Sequence, residues 1–291
     1  MLLALFTALA LGDSFPALVR ARIQADTTAH VAVAYWRLGS ADDSLFVHDN
    51  WTFHAASTMK VPVMIQLFRL VDAGTLSLDQ RIPLTNRFRS IVDGTPYALD
   101  LADDSDSSLY ARVGQEVSVR DLIQLMITRS SNLATNTLIA LADPVKVTAT
   151  MRQLGAAHLR VLRGVEDIPA YRAGLINTVT ARDLAIVMAA IAQDRAASAA
   201  SCAEMRRILD AQEFRDEIPA GLPAGVTVAH KTGWVDGLVL HDAAIIYPPA
   251  GTPYVLVVLT GGIAETPPAQ RMIADISRIV WMHETAVPPS Q

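Results

Sequence analysis

Strand-like and helix-like segments are distributed unevenly along this chain of 291 residues. Apolar runs of strand length lie near both ends, whereas the long middle part repeats its apolar residues at helical spacing. The predicted strands cover residues 30–38, 44–48, 225–230, 239–247 and 253–260. Turns rich in Gly and Pro separate the last three runs, which favours antiparallel hairpins. The pattern predicts an antiparallel five-stranded sheet that is built from both ends of the chain and flanked by helices.

The apolar spacing in the middle of the chain predicts an all-helical insertion between the second and third strands. Its predicted helices cover residues 59–71, 119–126, 132–141, 181–191 and 203–209, and two further helices, residues 15–25 and 269–286, lie outside the insertion. The fold class is therefore α/β, in the α+β sense, with an α/β domain over residues 13–56 and 210–291 and a helical domain over residues 57–209. An acidic stretch, residues 100–108, is expected to form a solvated surface loop.

The composition excludes several classes of protein. The 24 basic and 29 acidic side chains give a formal net charge of −5, and no run is rich in Lys or Arg, so nucleic acid is not an expected partner. A hydrophobic content of 51% excludes a disordered chain. Because Cys202 is the only cysteine, an intramolecular disulfide is impossible, and we expect a small buried side chain there.

The N-terminal segment, residues 1–12, is apolar, uncharged and too short to span a bilayer. Its length and the Ala8-Leu9-Ala10 cleavage pattern are typical of a signal peptide. We therefore predict an exported protein, periplasmic or extracellular, without stable membrane insertion; the alternative is a buried N-terminal helix.

The segment Ser57-Thr-Met-Lys60 stands at the start of a predicted helix. Ser57 and Lys60 are three positions apart on one helix face, so the amine can reach the hydroxyl. Pro62 is tolerated only near a helix start, which supports a boundary close to Ser57. The free N–H groups of a helix start also favour an oxyanion. These features predict a nucleophilic serine that a lysine activates.

A second motif, His230-Lys231-Thr232-Gly233, ends the third predicted strand. A cation, a hydroxyl and an unobstructed backbone along one strand edge suit an extended substrate that carries a carboxylate. The phosphate-binding P-loop also ends in Lys-Thr, but it has Gly where this chain has His230. We therefore exclude phosphate binding.

A third motif, Ser130-Ser131-Asn132, opens another predicted helix. Ser and Asn are common helix N-caps, so this motif alone predicts no more than a helix start. Beside the other two motifs, Ser130 can relay a proton to a leaving nitrogen, and the Asn132 amide can hold a substrate carbonyl.

In this order and on these elements, the three motifs resemble those of the penicillin-recognising serine hydrolases, most of all the class A β-lactamases. The resemblance runs from about residue 20 to residue 285 and includes the segments 53–60, 131–138 and 178–185. It implies a β-lactamase/DD-peptidase-like fold and a serine β-lactamase that hydrolyses the β-lactam amide through a serine acyl-enzyme. Such an enzyme needs no cofactor and confers antibiotic resistance.

The resemblance also implies a role for each motif residue. Ser57 attacks the lactam carbonyl, and the backbone N–H groups of Ser57 and Trp234 hold the oxyanion. Lys60 accepts the proton of the nucleophile if burial lowers its pKa. Ser130 passes a proton to the lactam nitrogen.

The expected substrate-binding residues are Asn132, Lys231, Thr232, Gly233 and Trp234. By the same resemblance, Asn132 orients the side-chain amide of the substrate, while Lys231 and Thr232 hold its carboxylate. Gly233 is expected to leave room for the substrate, and Trp234 replaces the small residue that is usual at its position.

The sequence departs from the class A pattern where the family carries its general base. Those enzymes have a Glu in an omega loop, followed two residues later by Leu-Asn, and that pattern is absent from residues 160–177. Glu166 is our candidate base, although an alignment on Arg163 would place Val165 there. A shift of one residue moves the chain by about 3.5 Å, enough to miss a bound water.

The remaining expectations concern metals, partners and rival functions. No pair among the seven His has metal-ligand spacing with a third partner, so His54, His230 and His241 are expected to be packed or hydrogen-bonded residues. A small β-lactam or peptidoglycan-like molecule is the expected substrate, and a monomer the expected state. The rivals are a D-alanyl-D-alanine peptidase, an esterase-like relative, and a penicillin sensor that is acylated without turnover.

The chain contains 21 Arg but only three Lys. Two of the three, Lys60 and Lys231, fall inside the motifs. Lys60 in particular needs an amine that can lose its proton, which a guanidinium cannot do. Lys146 is expected to lie in a surface turn after Pro144, without an assigned role.

Overall fold

A computed structural model describes residues 14–40 and 43–286. The strands are β1 (His30–Arg37), β2 (Ser44–Val47), β3 (Phe53–His54), β4 (Arg81–Pro83), β5 (Phe88–Arg89), β6 (Pro96–Tyr97), β7 (Glu116–Ser118), β8 (Thr178–Val179), β9 (Thr227–Val235), β10 (Val239–Tyr247) and β11 (Tyr254–Gly261). The helices are α1 (Phe15–Gln24), α2 (Lys60–Asp72), α3 (Val119–Thr128), α4 (Asn132–Ala142), α5 (Pro144–Gln153), α6 (Ile168–Arg172), α7 (Ala181–Ala192), α8 (Ala199–Asp210) and α9 (Thr266–Ala286). The signal segment predicted over residues 1–12 lies outside the described residues.

Five strands from the two ends of the chain form one antiparallel sheet in the order β2-β1-β11-β10-β9. Val33 of β1 pairs with Val258 of β11, and Asp242 of β10 pairs with Thr232 of β9. The prediction of a five-stranded antiparallel sheet is therefore confirmed. The division into an α/β domain and a helical domain at residues 57 and 209 stays a prediction.

Both faces of the sheet are covered, which explains the continuous apolar runs of its central strands. Successive side chains of a strand point to opposite faces. Val255 and Val257 of β11 join the core that contains the inserted helices, whereas Leu256 and Val258 join a second core with α1 and α9. Every residue of β11 is buried. Helix α7 packs against the sheet on the side of the first core.

The end of β9 and the position of Lys146 differ from the predictions. We expected a break at Gly233, but β9 continues to Val235 because it stays paired with β10 along the whole motif. We expected Lys146 in a surface turn, but it lies in the first turn of α5. Its ammonium is 3.8 Å from the carboxylate of Asp143, and its side chain is 67% exposed. Ion pairs of this kind contribute little to stability.

The lone cysteine and the apolar content of the helices are the two remaining features of the described part of the chain. Cys202 is fully buried in α8, as predicted. Within residues 14–40 and 43–286, no helix combines the length and the apolar content that crossing a membrane requires.

Candidate active site

Ser57 lies in a 3₁₀ turn, Ala56–Met59, that leads directly into α2 at Lys60. In a 3₁₀ turn the residues i and i+3 are eclipsed, so Ser57 and Lys60 are on the same side. Ala56 has a φ of 45°, a left-handed conformation that costs a residue with a Cβ about 1–2 kcal/mol. The fold therefore holds the nucleophile turn in a strained shape, as is common at functional sites.

Gly233 of β9 lies against this nucleophile turn. A Cβ on Gly233 would lie 3.0 Å from Cγ2 of Thr58 and 3.2 Å from the backbone nitrogen of Ser57. The expectation that Gly233 leaves room for a substrate stays a prediction, and the structure adds a second reason for a glycine here. A side chain at Gly233 would point at the turn and crowd the very N–H group that is expected to hold the oxyanion.

Two buried lysines converge on one serine hydroxyl. Lys60 Nζ donates to Ser130 Oγ at 3.1 Å, and Lys231 Nζ donates to the same atom at 3.0 Å. Lys60 Nζ also donates to the Ser130 carbonyl oxygen at 2.6 Å, and Lys231 Nζ to the Thr232 carbonyl oxygen at 2.9 Å. A serine hydroxyl can accept two hydrogen bonds and donate one. With both acceptor positions of Ser130 occupied, its own proton is available to a ligand.

Burial controls the charge of both amines. Lys60 and Lys231 are each 0% exposed. Burial lowers the pKa of Lys60 to about 7, against the opposing influence of the Asp104 and Glu166 carboxylates. Burial and the neighbouring charge of Lys60 also hold the pKa of Lys231 well below its usual range. Lys60 can therefore exchange a proton near neutral pH.

Asn132 connects Lys60 to Glu166. Its Oδ1 accepts from Lys60 Nζ at 3.0 Å, and its Nδ2 donates to Glu166 Oε1 at 3.0 Å. Burial raises the pKa of the half-buried Glu166, although the hydrogen bond from Asn132 lowers it. An unbroken hydrogen-bond chain thus runs from Lys231 through Ser130, Lys60 and Asn132 to Glu166.

Asn136 decides which residue of the omega loop faces the site. It is one helical turn after Asn132 on α4, so both amides lie on the same face. Its side chain accepts from the backbone nitrogen of Val165 at 2.7 Å and donates to the Val165 carbonyl at 3.0 Å. Because the backbone of Val165 is held in this way, the carboxylate of Glu166 is the one that reaches Asn132.

Hydrogen bonds between residues at its two ends hold the omega loop closed. Arg160 and Thr178 exchange two backbone hydrogen bonds of 2.9 Å. The Asn177 side chain accepts from the backbone nitrogens of Leu162 and Arg163, at 2.8 and 3.2 Å, and donates to the Arg163 carbonyl at 2.9 Å. These contacts fix the position from which Glu166 extends.

Ser57, Ser130 and Asn132 line a cleft of about 380 Å³. One wall comes from residues 102–105 with Ser130 and Asn132, and another from β9, β10 and the start of α9. Trp234, 54% exposed, lines this cleft and donates from Nε1 to Thr266 Oγ1 at 3.2 Å. Its bulk therefore forms part of the groove.

The comparisons with known proteins agree with this geometry. A model of the beta-lactamase enzyme family matches residues 17–283. The chain belongs to this family. The resemblance drawn from the three motifs is thereby confirmed.

Individual members of the β-lactamase family show how far the similarity extends. The β-lactamase AST-1 of Nocardia asteroides is 29% identical over 222 residues, which cover 69% of this chain and 72% of the relative. The crystal structure of a β-lactamase from Sphaerobacter thermophilus has a TM-score of 0.79 and 28% identity, and covers 95% of this chain and 100% of that one. A mutant of PBP-A, solved as an acyl-enzyme complex with penicillin G, has a TM-score of 0.78 and 25% identity, over 94% of this chain and 97% of that one.

The acidic loop of this β-lactamase-family chain has a role that the sequence analysis missed. Asp104 accepts hydrogen bonds from the backbone nitrogens of Asn132 and Leu133, both at 2.9 Å, and so caps the start of α4. Asp106 is 3% exposed. The expectation of a solvated surface loop is therefore wrong at these two residues, because Asp104 turns inward to a helix end beside the site and Asp106 accepts hydrogen bonds from Ser108 within the loop.

The histidines near the motifs are packed and hydrogen-bonded, as predicted. His230 Nδ1 lies 3.0 and 3.1 Å from the two carboxylate oxygens of Asp242. His241 Nε2 lies 2.9 Å from the carbonyl oxygen of His54, and His54 Nδ1 accepts from the backbone nitrogen of Ala56 at 3.0 Å. The last contact supports the strained residue that precedes Ser57.

Gly164→Ala is expected to slow the release of an acyl group by moving the omega loop. A Cβ on Gly164 would lie 2.3 Å from Oδ1 and 2.9 Å from Cγ of Asn136, which cannot move without breaking its bonds to Val165. We expect a destabilisation of about 1–3 kcal/mol, as for a buried polar group that loses its partner. Thermal unfolding and the steady-state rate after the burst measure the two effects.

The matched control for this change is Gly261→Ala, since a Cβ there would meet only ordinary contacts of 3.5 Å or more. If Gly164→Ala kept the melting temperature and turnover of the parent, Asn136 would not be what places the omega loop.

Proposed function

We propose that this chain is a serine β-lactamase of the class A type, which opens the β-lactam amide through an acyl-enzyme on Ser57. The observation that supports the proposal is the hydrogen-bond chain that connects Lys231, Ser130, Lys60, Asn132 and Glu166 around a cleft lined by Ser57. Together with Ser57, this hydrogen-bond chain supplies, in and directly behind the cleft wall, a nucleophile, two groups that can exchange a proton and a cation for the substrate.

In the acylation step, neutral Lys60 accepts the hydroxyl proton of Ser57 while Oγ bonds to the lactam carbonyl carbon. The carbonyl electrons move to an oxyanion that the backbone N–H groups of Ser57 and Trp234 hold. When the carbon–nitrogen bond breaks, Ser130 donates its proton to the nitrogen, and Lys60 returns a proton to Ser130. The net result is that Ser57 has lost one proton and the opened lactam nitrogen has gained one, while Lys60 and Ser130 are restored.

In the deacylation step, Glu166 accepts a proton from a water molecule that attacks the ester carbonyl. The ester bond to Oγ breaks, and the proton passes from Glu166 to Ser57, which restores both groups. A base for this step needs a pKa near the working pH, and burial raises the pKa of Glu166 in that direction.

Substrate binding falls to the residues around these groups. Lys231 and Thr232 hold the substrate carboxylate at the edge of β9. Asn132 uses one amide hydrogen for Glu166 and has a second one for the carbonyl of the substrate side chain. The indole of Trp234 forms part of the wall.

A chromogenic cephalosporin tests the proposal directly. With substrate in excess over enzyme, the parent is expected to complete many turnovers per enzyme molecule. Ser57→Ala is expected to complete none. A burst of one equivalent that then stalls would contradict the proposal and favour a D-alanyl-D-alanine peptidase, an esterase-like relative or a penicillin sensor.

We further propose that the protein acts outside the cytoplasm and as a monomer. Support for export comes from the apolar segment 1–12 with its Ala8-Leu9-Ala10 cleavage pattern. N-terminal sequencing of the secreted protein tests the first part, and its mass in solution tests the second.

A further inference from the structure

Glu217 lies in the wall of the cleft and has no part in the reaction proposed above. Glu217 as a whole is 4% exposed, although it lines the cleft. Oε1 accepts a hydrogen bond from Gln270 Nε2 of α9 at 3.3 Å, whereas Oε2 is buried and has no partner within residues 14–40 and 43–286. A buried polar atom without a partner is costly, so Oε2 indicates a site that a ligand completes.

The groups around Glu217 set its charge. Asp216 precedes it in the chain, and Asp242 faces it from β10, where it accepts from His230 Nδ1. Lys231 is the cation that faces it from β9. From α9 it meets the neutral amide of Gln270. Burial, helped by the charge of Asp242, raises the pKa of Glu217 to about 7, so both charge states are available near neutral pH.

The carboxylate subsite needs more donors than the motif supplies. Two of the three N–H groups of Lys231 are used by Ser130 Oγ and the Thr232 carbonyl, so one remains for a ligand. Leu240, which pairs with Trp234 across β9 and β10 and lines the cleft, offers no polar side-chain atom. A neutral Glu217 would supply an additional O–H donor, whereas an ionised one would place a negative charge beside the bound anion.

We propose that Glu217 determines specificity by sensing the charge of the substrate. As a neutral acid it donates a hydrogen bond from Oε2 to the carboxylate that Lys231 and Thr232 hold, and as an anion it repels that carboxylate. This inference rests on the proposed function, because it concerns the acidic group of a β-lactam in the same cleft.

Binding without chemistry tests the inference. In a Ser57→Ala background, the Kd of penicillin G and of its methyl ester is measured by calorimetry at pH 5.5 and pH 8, with and without Glu217→Gln. Gln is isosteric with the neutral acid and stays uncharged. At pH 5.5, the Kd of penicillin G is expected to agree within about twofold with and without Glu217→Gln.

At pH 8 the two proteins should differ. With a pKa of about 7, only about one Glu217 in ten is neutral, so Glu217→Gln is expected to bind penicillin G about tenfold more tightly than the background. The negative charge of Glu217 raises the pKa of Lys231, so Glu217→Gln loses some of the Lys231 cation at pH 8; this coupling reduces the expected ratio and cannot produce it. The methyl ester should show no such ratio, because it carries no charge to repel.

The possible results distinguish failure of the role inferred for Glu217 from failure of the proposed function. A Kd ratio between the two proteins that is independent of pH, or that is equal for acid and ester, overturns the inference alone. Failure of both proteins to bind either ligand, together with a parent that penicillin G does not acylate, overturns the proposed function as well. If Glu217→Gln does not fold, a ratio of acid Kd to ester Kd that stays constant in the background between pH 5.5 and pH 8 still overturns the inference.

Discussion

Glu166→Gln is expected to leave acylation of Ser57 intact and to stop the release of the acyl group. The amide oxygen of Gln can still accept the hydrogen bond that Asn132 Nδ2 donates at 3.0 Å, so the omega loop should stay in place. The amide cannot accept a proton from water, and losing a general base costs roughly 10²–10⁴-fold in rate. Intact-protein mass spectrometry with penicillin G should show one bound equivalent that persists.

The matched control for this change is Glu116→Gln. Glu116 lies on β7, its side chain is 61% exposed, and its carboxylate is 3.8 Å from the guanidinium of Arg81. Turnover should be unchanged in this control. If Glu166→Gln hydrolysed a chromogenic cephalosporin at the parent rate, the base would lie elsewhere, and the link through Asn132 would only position the loop.

The sheet and the motif elements could be predicted from the sequence because their signals are local. The strands of residues 239–247 and 253–260 are continuous apolar runs, and such runs arise where both faces of a sheet are buried. Ser57 and Lys60 are three residues apart, and the motif around Lys231 lies on a single strand. Short-range spacing was enough to place these residues on the right elements.

Asp104 and Glu217 could not be predicted because their roles depend on contacts that are distant in sequence. Asp104 caps a helix that begins 28 residues later, and the loop that carries it has only an acidic composition. Glu217 receives its hydrogen bond from Gln270, which is 53 residues away. Neither residue stands in a pattern that distinguishes it from a solvated carboxylate until the chain is folded.

The register of the omega loop could be predicted from the sequence only in part. An alignment on Arg163 favoured Val165, and the structure brings Glu166 to Asn132 instead. The deciding residue is Asn136, a buried amide on a helix whose other buried residues are mostly apolar. Its position four residues after Asn132 was visible in the sequence and was the available signal for a contact between α4 and the loop.

Lys60→Arg is expected to abolish most acylation, even though Arg replaces Lys almost everywhere else in this chain. Lys60 is fully buried, and its Nζ makes hydrogen bonds of 2.6, 3.0 and 3.1 Å that leave little room for a planar guanidinium. Arg also cannot lose its proton at accessible pH. We expect acylation to slow by roughly 10²–10⁴-fold, as for loss of a general base, and overpacking to cost about 1–3 kcal/mol of stability.

Stopped-flow acylation by penicillin G between pH 5.5 and pH 9 separates the two causes. Because the neutral amine is the reactive form, the acylation rate of the parent at saturating penicillin G should rise as pH increases through about 7, where burial places the pKa of Lys60. The Lys60→Arg variant should lack this rise. If the substitution only misplaced a group that can still lose its proton, the rate would be lower at every pH but would still rise with pH. The matched control is Lys146→Arg, at a side chain 67% exposed. Its free energy of unfolding should match that of the parent within about 0.5 kcal/mol, and its acylation rate should be unchanged.

A Lys60→Arg protein that acylated like the parent would mean that the proton of Ser57 leaves by another route, and that Lys60 serves chiefly as the cation that holds Ser130 and Asn132 together.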